Sequence, residues 1–384
     1  MIIESNYSFR SGLCCCRCFF PLAFPGRLLR FKFDRRIHFS CAVISFLTNY
    51  ICYSFDMQKL FIGPLIVTVL GLLTAFWWGG VAAFFTVAIL AVLEITLSFD
   101  NAIVNAGVLR TMSAKWQQRF LVWGIAIAIF GARLVLPILI VSAVLLMSPV
   151  AVATLALFSP EHYGALLHSS HYAIGAFGGA FLFMISLKYF FDETKKFHWI
   201  ESIEKHLARW GSIEAIEVMI TLVALLLASF FERGEQSMIL VAGIIGVVLF
   251  ILMQALTGAM QGGVHAKAVT GGLAAFLYLE VLDTAFSLDG VVGAFAITTN
   301  IIWIMIGLGI GAYFVRSLTI ALVRSHALRT LPYLEHGAHW AIMGLAATMI
   351  VGLVTEVPEV VTGTIGLVFV GAAYWSSLRA RIVE

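Results

Sequence analysis

From Lys59 onward the chain returns again and again to apolar runs long enough to cross a bilayer. Ten can be marked out, near 60–78, 81–107, 120–147, 172–191, 215–231, 238–257, 269–297, 300–323, 338–355 and 361–377. A helix of about 20 apolar residues spans the ~30 Å hydrocarbon core. Only helices and closed barrels satisfy their backbone groups in that medium. The 384 residues are 61% hydrophobic and 12% charged, where a soluble domain carries about 25% charge. The expected fold is all-α, a polytopic membrane helical bundle with the lipid bilayer as its partner. A net charge of +3 says little about partners, and no nucleic acid is expected among them.

Residues 1–56 hold all six cysteines, with Cys14, Cys15, Cys16 and Cys18 close together and Cys41 and Cys52 apart. No second pair or His pair follows at zinc-ligand spacing. This stretch is expected to be an extension outside the working fold. Residues 57–191 and 215–384 then form two membrane repeats, joined by a linker at 192–214. That linker mixes charges with Trp199, Ile203, Leu207 and Trp210, a pattern that suits an amphipathic helix on the membrane surface. Gly79-Gly80 between the first two spans predicts a tight helical hairpin.

Basic residues fix the expected sidedness. The loops after even-numbered spans and the C-terminus hold twelve, among them Arg110, Lys115, Arg119, Lys196, Lys267, Arg324, Arg329 and Arg379. The odd-numbered loops hold only Arg233. The positive-inside rule places the even loops and the C-terminus in the cytoplasm, in a cell inner membrane. The outer loop 148–171 carries Glu161, His162, His168 and His171 without constrained spacing, and is read as merely polar. Lys188, at the cytoplasmic end of span four, is read as snorkelling.

Span two nevertheless holds Glu94 and Asp100, and span seven holds Glu280, Asp283 and Asp289. Each charge costs roughly 2.5–3.5 kcal/mol at a bilayer centre, so such groups mark function. Arg133 in span three and Arg316 in span eight can neutralise two and tune the charge of the rest. The clusters resemble each other: Glu94, Ser98 and Asp100 have the spacing of Asp283, Ser287 and Asp289. Opposite span directions make the copies inverted, an arrangement suited to alternating access.

On a helix, Glu94, Ser98, Asn101 and Asn105 form one stripe, as do Glu280, Asp283 and Ser287. Asp100 and Asp289 fall off it. Either they face another polar helix, or the helices unwind after Ser98 and Ser287 and free carbonyls for an ion. Unwinding is the favoured expectation, with Gly290 and Gly293 easing it in span seven. The expected metal ligands are Glu94, Ser98, Asp100, Asn101, Glu280, Asp283, Ser287 and Asp289. An all-oxygen set selects hard or borderline cations such as Mn²⁺, Ca²⁺ and Mg²⁺. The cation is the cargo; no cofactor is expected.

The motifs Glu94-x3-Ser98-x-Asp100-Asn101-Ala102 and Glu280-x2-Asp283-x2-Phe286-Ser287-x-Asp289 resemble those of the TerC (tellurium-resistance) family, in a branch described only as a domain of unknown function. Trp123-Gly124 through Arg133, Leu187-Lys188-Tyr189-Phe190, and Thr299-Asn300 leading to Arg316 are also similar. The likeness covers about residues 60–377. That family is grouped with the lysine-exporter superfamily, and the resemblance implies export of manganese or calcium through the acidic motifs. One departure stands out: Gly290 occupies a position where the family usually has Ser.

The leading expectation is therefore a divalent-cation efflux transporter, with Mn²⁺ or Ca²⁺ as substrate. The alternative is a non-transporting scaffold of a metal or tellurite stress-response complex, its acids serving as glue between helices. An intramembrane enzyme is not expected. The polar stretch from Tyr333 to His339 is read as the surface-capped start of span nine rather than a metal gate.

Overall fold

The computed structural model describes residues 35–195, 197–261, 270–355 and 357–383. The cysteines from Cys14 to Cys18, Lys196 and Lys267 lie outside them, as do the side chains of Cys41, Cys52 and Asp289. The described residues are almost entirely helical, and no strand occurs among them. The chain divides into two compact units at Ile62–Gly63. The architecture below belongs to the second.

Helix α1 (Arg35–Leu97) leads into α2 (Phe99–Leu109). Next come α3 (Ala114–Ala126), a π-helical segment (Ile127–Val135) and α4 (Leu136–Leu145) in one continuous run. The short helices α5 (Pro149–Phe158) and α6 (Pro160–Ser169) precede α7 (His171–Phe190). After α8 (Glu201–Trp210) follow α9 (Ile216–Phe231), α10 (Gln236–Gln261), α11 (Thr270–Ile297) and α12 (Ile301–Arg324). A single turn, α13 (Ala327–Thr330), leads to α14 (Leu334–Gly352) and α15 (Glu359–Val383).

Among the described residues, six stretches are long and apolar enough to cross a membrane: Gln58–Leu97, Ala114–Leu145, His171–Phe190, Gln236–Leu256, Ile301–Arg324 and Val361–Ala380. This is a membrane protein built of helices. Each of the ten expected segments coincides with a helix over most of its described residues, and α9, α11 and α14 are not among these six. α9 has only 16 residues, and α14 opens with Glu335, His336 and His339.

The 40-residue stretch Gln58–Leu97 would be ~60 Å long if straight. It is broken at Gly80, whose φ of 72° suits a glycine. Contacts with α12 show what the break does. On the first leg, Gly63 packs at Tyr313, Gly71 at Ile306 and Ile310, and Gly79 at Trp303, so this leg and α12 run antiparallel. On the second, Leu90 packs at Gly307 and Glu94 at Gly311, so they run parallel. The legs are therefore antiparallel to one another, a helical hairpin turned at Gly79-Gly80.

The second leg lies very close to α12. A Cβ added at Gly307 would stand 2.5 Å from the Leu90 Cβ, and one at Gly311 would stand 2.5 Å from the Glu94 Cβ. Small residues four apart let helix backbones approach in this way. The largest buried apolar cluster surrounds α7, where Phe181, Leu182 and Met184 meet Leu282 and Phe286 of α11 and Ala346 and Met349 of α14.

The 192–214 linker is helical only over α8. Its Phe197, Ile203 and Trp210 are exposed, but Glu204 is buried against the bundle. The Glu204 carboxylate accepts hydrogen bonds from the Trp199 and Ile200 amides and from Trp340 Nε1, and lies 2.8 Å from His336 Nδ1. Burial pushes its pKa up, but the bonds from His336 and Trp340 outweigh that and hold it at about 2. The start of α14 is thus packed against α8, through His336 and Trp340. Lys188 is half-exposed, as a snorkelling side chain should be, and also pairs with Glu217 at 3.1 Å.

Candidate ion site

The polar stripe along the end of α1 and the start of α2 faces the stripe on α11. Glu94, Ser98, Asn101, Asn105, Glu280, Asp283 and Ser287 are all buried. Asn101 Nδ2 donates to Asp283 Oδ1 at 2.8 Å. A Cβ added at Gly290 would stand 3.1 Å from Glu94 Oε2. These two contacts, 94 with 290 and 101 with 283, set an antiparallel register between the strips.

Each buried arginine holds acids. Arg133 Nη2 donates to Glu94 Oε1, and its Nη1 donates to the Ala128 carbonyl at 2.6 Å. The wider turn of the π segment, a geometry frequent at functional sites, carries this guanidinium. Ser98 Oγ also donates to Glu94 Oε1, at 3.0 Å. Arg316 grips Glu280 with both terminal nitrogens, at 3.2 and 3.1 Å, and Asp283 at 3.0 Å. Its Nη1 also donates to the Phe120 carbonyl, and its guanidinium lies 4.1 Å from the Phe120 ring centroid. A fork whose two terminal nitrogens are held by two carboxylates and a carbonyl is a tightly specified arrangement, although Arg316 Nε has no partner.

The expected unwinding is not what the helices do. α11 runs unbroken through Ser287 and Gly290. The break between α1 and α2 is one residue, Ser98 (φ −99°, ψ 14°), and the bonds Ser98 N to Glu94 O and Ala102 N to Ser98 O bridge it. Gly290 serves close approach rather than a helix break, leaving the space into which Glu94 fits. Asp100 is buried and turned toward α15, where a Cβ at Gly366 would stand 3.9 Å from its carboxyl. It accepts from the Asn101 amide.

Three buried acceptor oxygens around the seam have no hydrogen-bond partner: Asn101 Oδ1, Asn105 Oδ1 and Ser287 Oγ. Buried polar atoms are satisfied in the great majority of cases, so a group of three calls for explanation. Among the described residues, no three His, Cys, Asp or Glu side chains form a group able to hold a metal. The arginines have drawn three of the acids to themselves.

Two positions escaped the reading of candidate ligands. Gly124 of α3 leaves the space for the Arg316–Glu280 pair, since a Cβ there would stand 2.1 Å from Arg316 Nη1. Phe120, one turn earlier, supplies the carbonyl and the ring. Cavities lie at both ends of the bundle. One, of ≈650 Å³, is lined by His168, His171, Tyr172, Glu232 and Thr355, with Gly293 of α11. The other, of ≈370 Å³, lies at the end where Arg110 pairs with Glu335, and is lined by Val108, Lys188, Tyr189, Gln254, Tyr278 and His339.

The family model described as protein of unknown function (DUF475) matches residues 99–383. The chain belongs to the DUF475 family. Within this DUF475 protein the match takes in Asp100, Asn101, all of α11 and Arg316, while Glu94 precedes it. No curated protein and no solved structure matches the chain.

Proposed function

We propose that this membrane protein is a transporter that expels a divalent cation, with manganese or calcium as cargo, through the carboxylates of α1, α2 and α11. The observation that carries the reading is the seam itself. Three described buried acids, Glu94, Glu280 and Asp283, face only two buried guanidinium groups, with Asp100 buried on the α15 side, beside three acceptor oxygens and the two arginine Nε atoms that have no partner. A cation is the species that such a surplus of lone pairs and negative charge suits, and its all-oxygen character favours hard ions.

Inverted symmetry supports alternating access. One offset of 189 residues carries Glu94 onto Asp283 and Asn101 onto Gly290. Under it the two inter-strip contacts exchange, and each first acid keeps an arginine from the helix that follows. In this reading, Arg133 and Arg316 hold the acids until a cation displaces them, and protonation of the carboxylates discharges it on the acidic side. The basic end, with Arg110, Arg324 and Arg329, faces the cytoplasm. The likeness to TerC motifs points the same way.

A second reading has one observation in its favour. The ion pairs of Arg133 and Arg316 join separate helices, as they would in a scaffold that carries nothing.

The deciding experiment is Mn²⁺ uptake by inside-out vesicles under an imposed pH gradient, for wild type and for Asp100→Asn combined with Asp289→Asn. Uptake by wild type that the double variant loses supports the transporter. Equal fluxes in wild type, variant and empty vesicles across Mn²⁺, Ca²⁺ and Mg²⁺ leave the scaffold standing.

A further inference from the structure

The stripe on α2 does not stop at the central acids. Asn105 lies one turn beyond Asn101 on the same face. It is 1% exposed, and its Oδ1 has no hydrogen-bond partner. The contacts of 94 with 290 and 101 with 283 put Asn105 level with Leu279 of α11, a wholly buried apolar side chain. A bare amide oxygen in that setting costs stability, and an apolar side chain of similar size would not. The offset that relates the two copies carries Asn105 onto Ala294, so the outward half has no counterpart.

What lies beyond Asn105 gives the amide a use. Val108, three residues on, lines the ≈370 Å³ cavity at the basic end, with Tyr278 of α11 on the other wall. The stripe thus leads from Asn101 and Asp283 toward that cavity, which has Gln254, Tyr189 and His339 in its lining.

We propose that Asn105 is a transit ligand, lending its Oδ1 to the divalent cation between the basic-end cavity and the central carboxylates. This rests on the transporter reading. It makes the inward half of the path polar and the outward half smooth, so Asn105 governs capture from the cytoplasmic side.

The test is initial-rate Mn²⁺ uptake by inside-out vesicles, which present the basic end outward, across a range of Mn²⁺ concentrations. Full-length wild type, Asn105→Leu and Asn105→Asp are compared, with the thermal unfolding midpoint of each purified protein. Asn105→Leu is expected to raise KM roughly tenfold while the midpoint holds or rises. Asn105→Asp, which keeps an oxygen and adds charge, is expected to restore KM to the wild-type value or below. A wild-type KM in Asn105→Leu overturns the assignment while leaving transport intact. So does a raised KM that comes with a lowered midpoint and no recovery in Asn105→Asp, since that is a packing role. No flux in wild type above empty vesicles overturns the transporter reading and the transit ligand together.

Discussion

Asn101 and Asp283, 182 residues apart in sequence, are joined by a 2.8 Å hydrogen bond that ties α2 to α11. The Asn101 amide hydrogen satisfies one carboxylate oxygen, while Asn101 Oδ1 has no donor at all. One side chain therefore both steadies the seam and leaves an acceptor for something else. Asn101→Leu strips Asp283 Oδ1 of its donor, a loss expected to cost about 1–3 kcal/mol. The unfolding midpoint in detergent should fall, and a midpoint equal to wild type would show that the bond contributes nothing.

Arg316 is committed to Glu280, Asp283 and the Phe120 carbonyl at once. Arg316→Met leaves two buried carboxylates uncompensated and should cost about 3–5 kcal/mol. Neutralising the acids as well, in Arg316→Met with Glu280→Gln and Asp283→Asn, should recover much of that loss. Additive penalties across the series would contradict the pairing.

Gly124 is a structural requirement of the same pair. Gly124→Ala drives a methyl group into the Arg316 guanidinium and the Glu280 carboxylate. Overpacking of this kind costs about 1–3 kcal/mol. The penalty should shrink when Arg316→Met is already present, which a double-mutant cycle reads directly.

Acid should loosen α8. Glu204 is held at about 2 in the fold, below its ordinary value of 4.5. A depressed carboxyl contributes stability that is full above 4.5 and is lost as pH falls toward 2. Amide hydrogen exchange over 199–210, corrected for intrinsic pH dependence, should rise across that window. Glu204→Gln should already exchange fast at neutral pH and show no further acid step.

Lys195 carries the opposite instruction. Its Nζ sits 2.7 Å from the Tyr189 ring centroid without a hydrogen-bond partner. Burial pushes it down to about 7, with Glu204, Asp192 and Glu335 pulling the other way. The folded state thus favours the neutral amine, and stability rises as pH climbs from about 7 toward the ordinary 10.5. Lys195→Met should abolish that rise and lift the unfolding midpoint by roughly 2–4 °C. A lowered midpoint would mean that the cation over Tyr189 is favourable.

The helices and the acidic stripes could be read from residues because both follow simple periods. Glu94, Ser98 and Asn101 needed only 3.6 residues per turn to be placed on one face. The hairpin at Gly79-Gly80 could be read from the glycines between two apolar runs. Less visible was what each glycine does for a distant partner. Gly290 looked like a missing hydroxyl or a helix breaker, and its use, making room for Glu94, depends on a helix nearly 200 residues away in sequence. The same holds for Gly124 beneath Arg316 and for Glu204 reaching His336 and Trp340. These are tertiary facts, invisible to a window of a few turns.

The glycine seam between α12 and the second leg of α1 has a mechanical meaning. Where Gly307 and Gly311 bring the two backbones nearly into touch, there are no long side chains to swing, and sliding would meet backbone at once. The Glu94 leg and the Arg316 helix are thus packed as a single strut. The seam between α2 and α11 is held in another way, with the hydrogen bond from Asn101 to Asp283 across it. Ser98, the one residue between the strut and α2 outside helical assignment, is the joint between them.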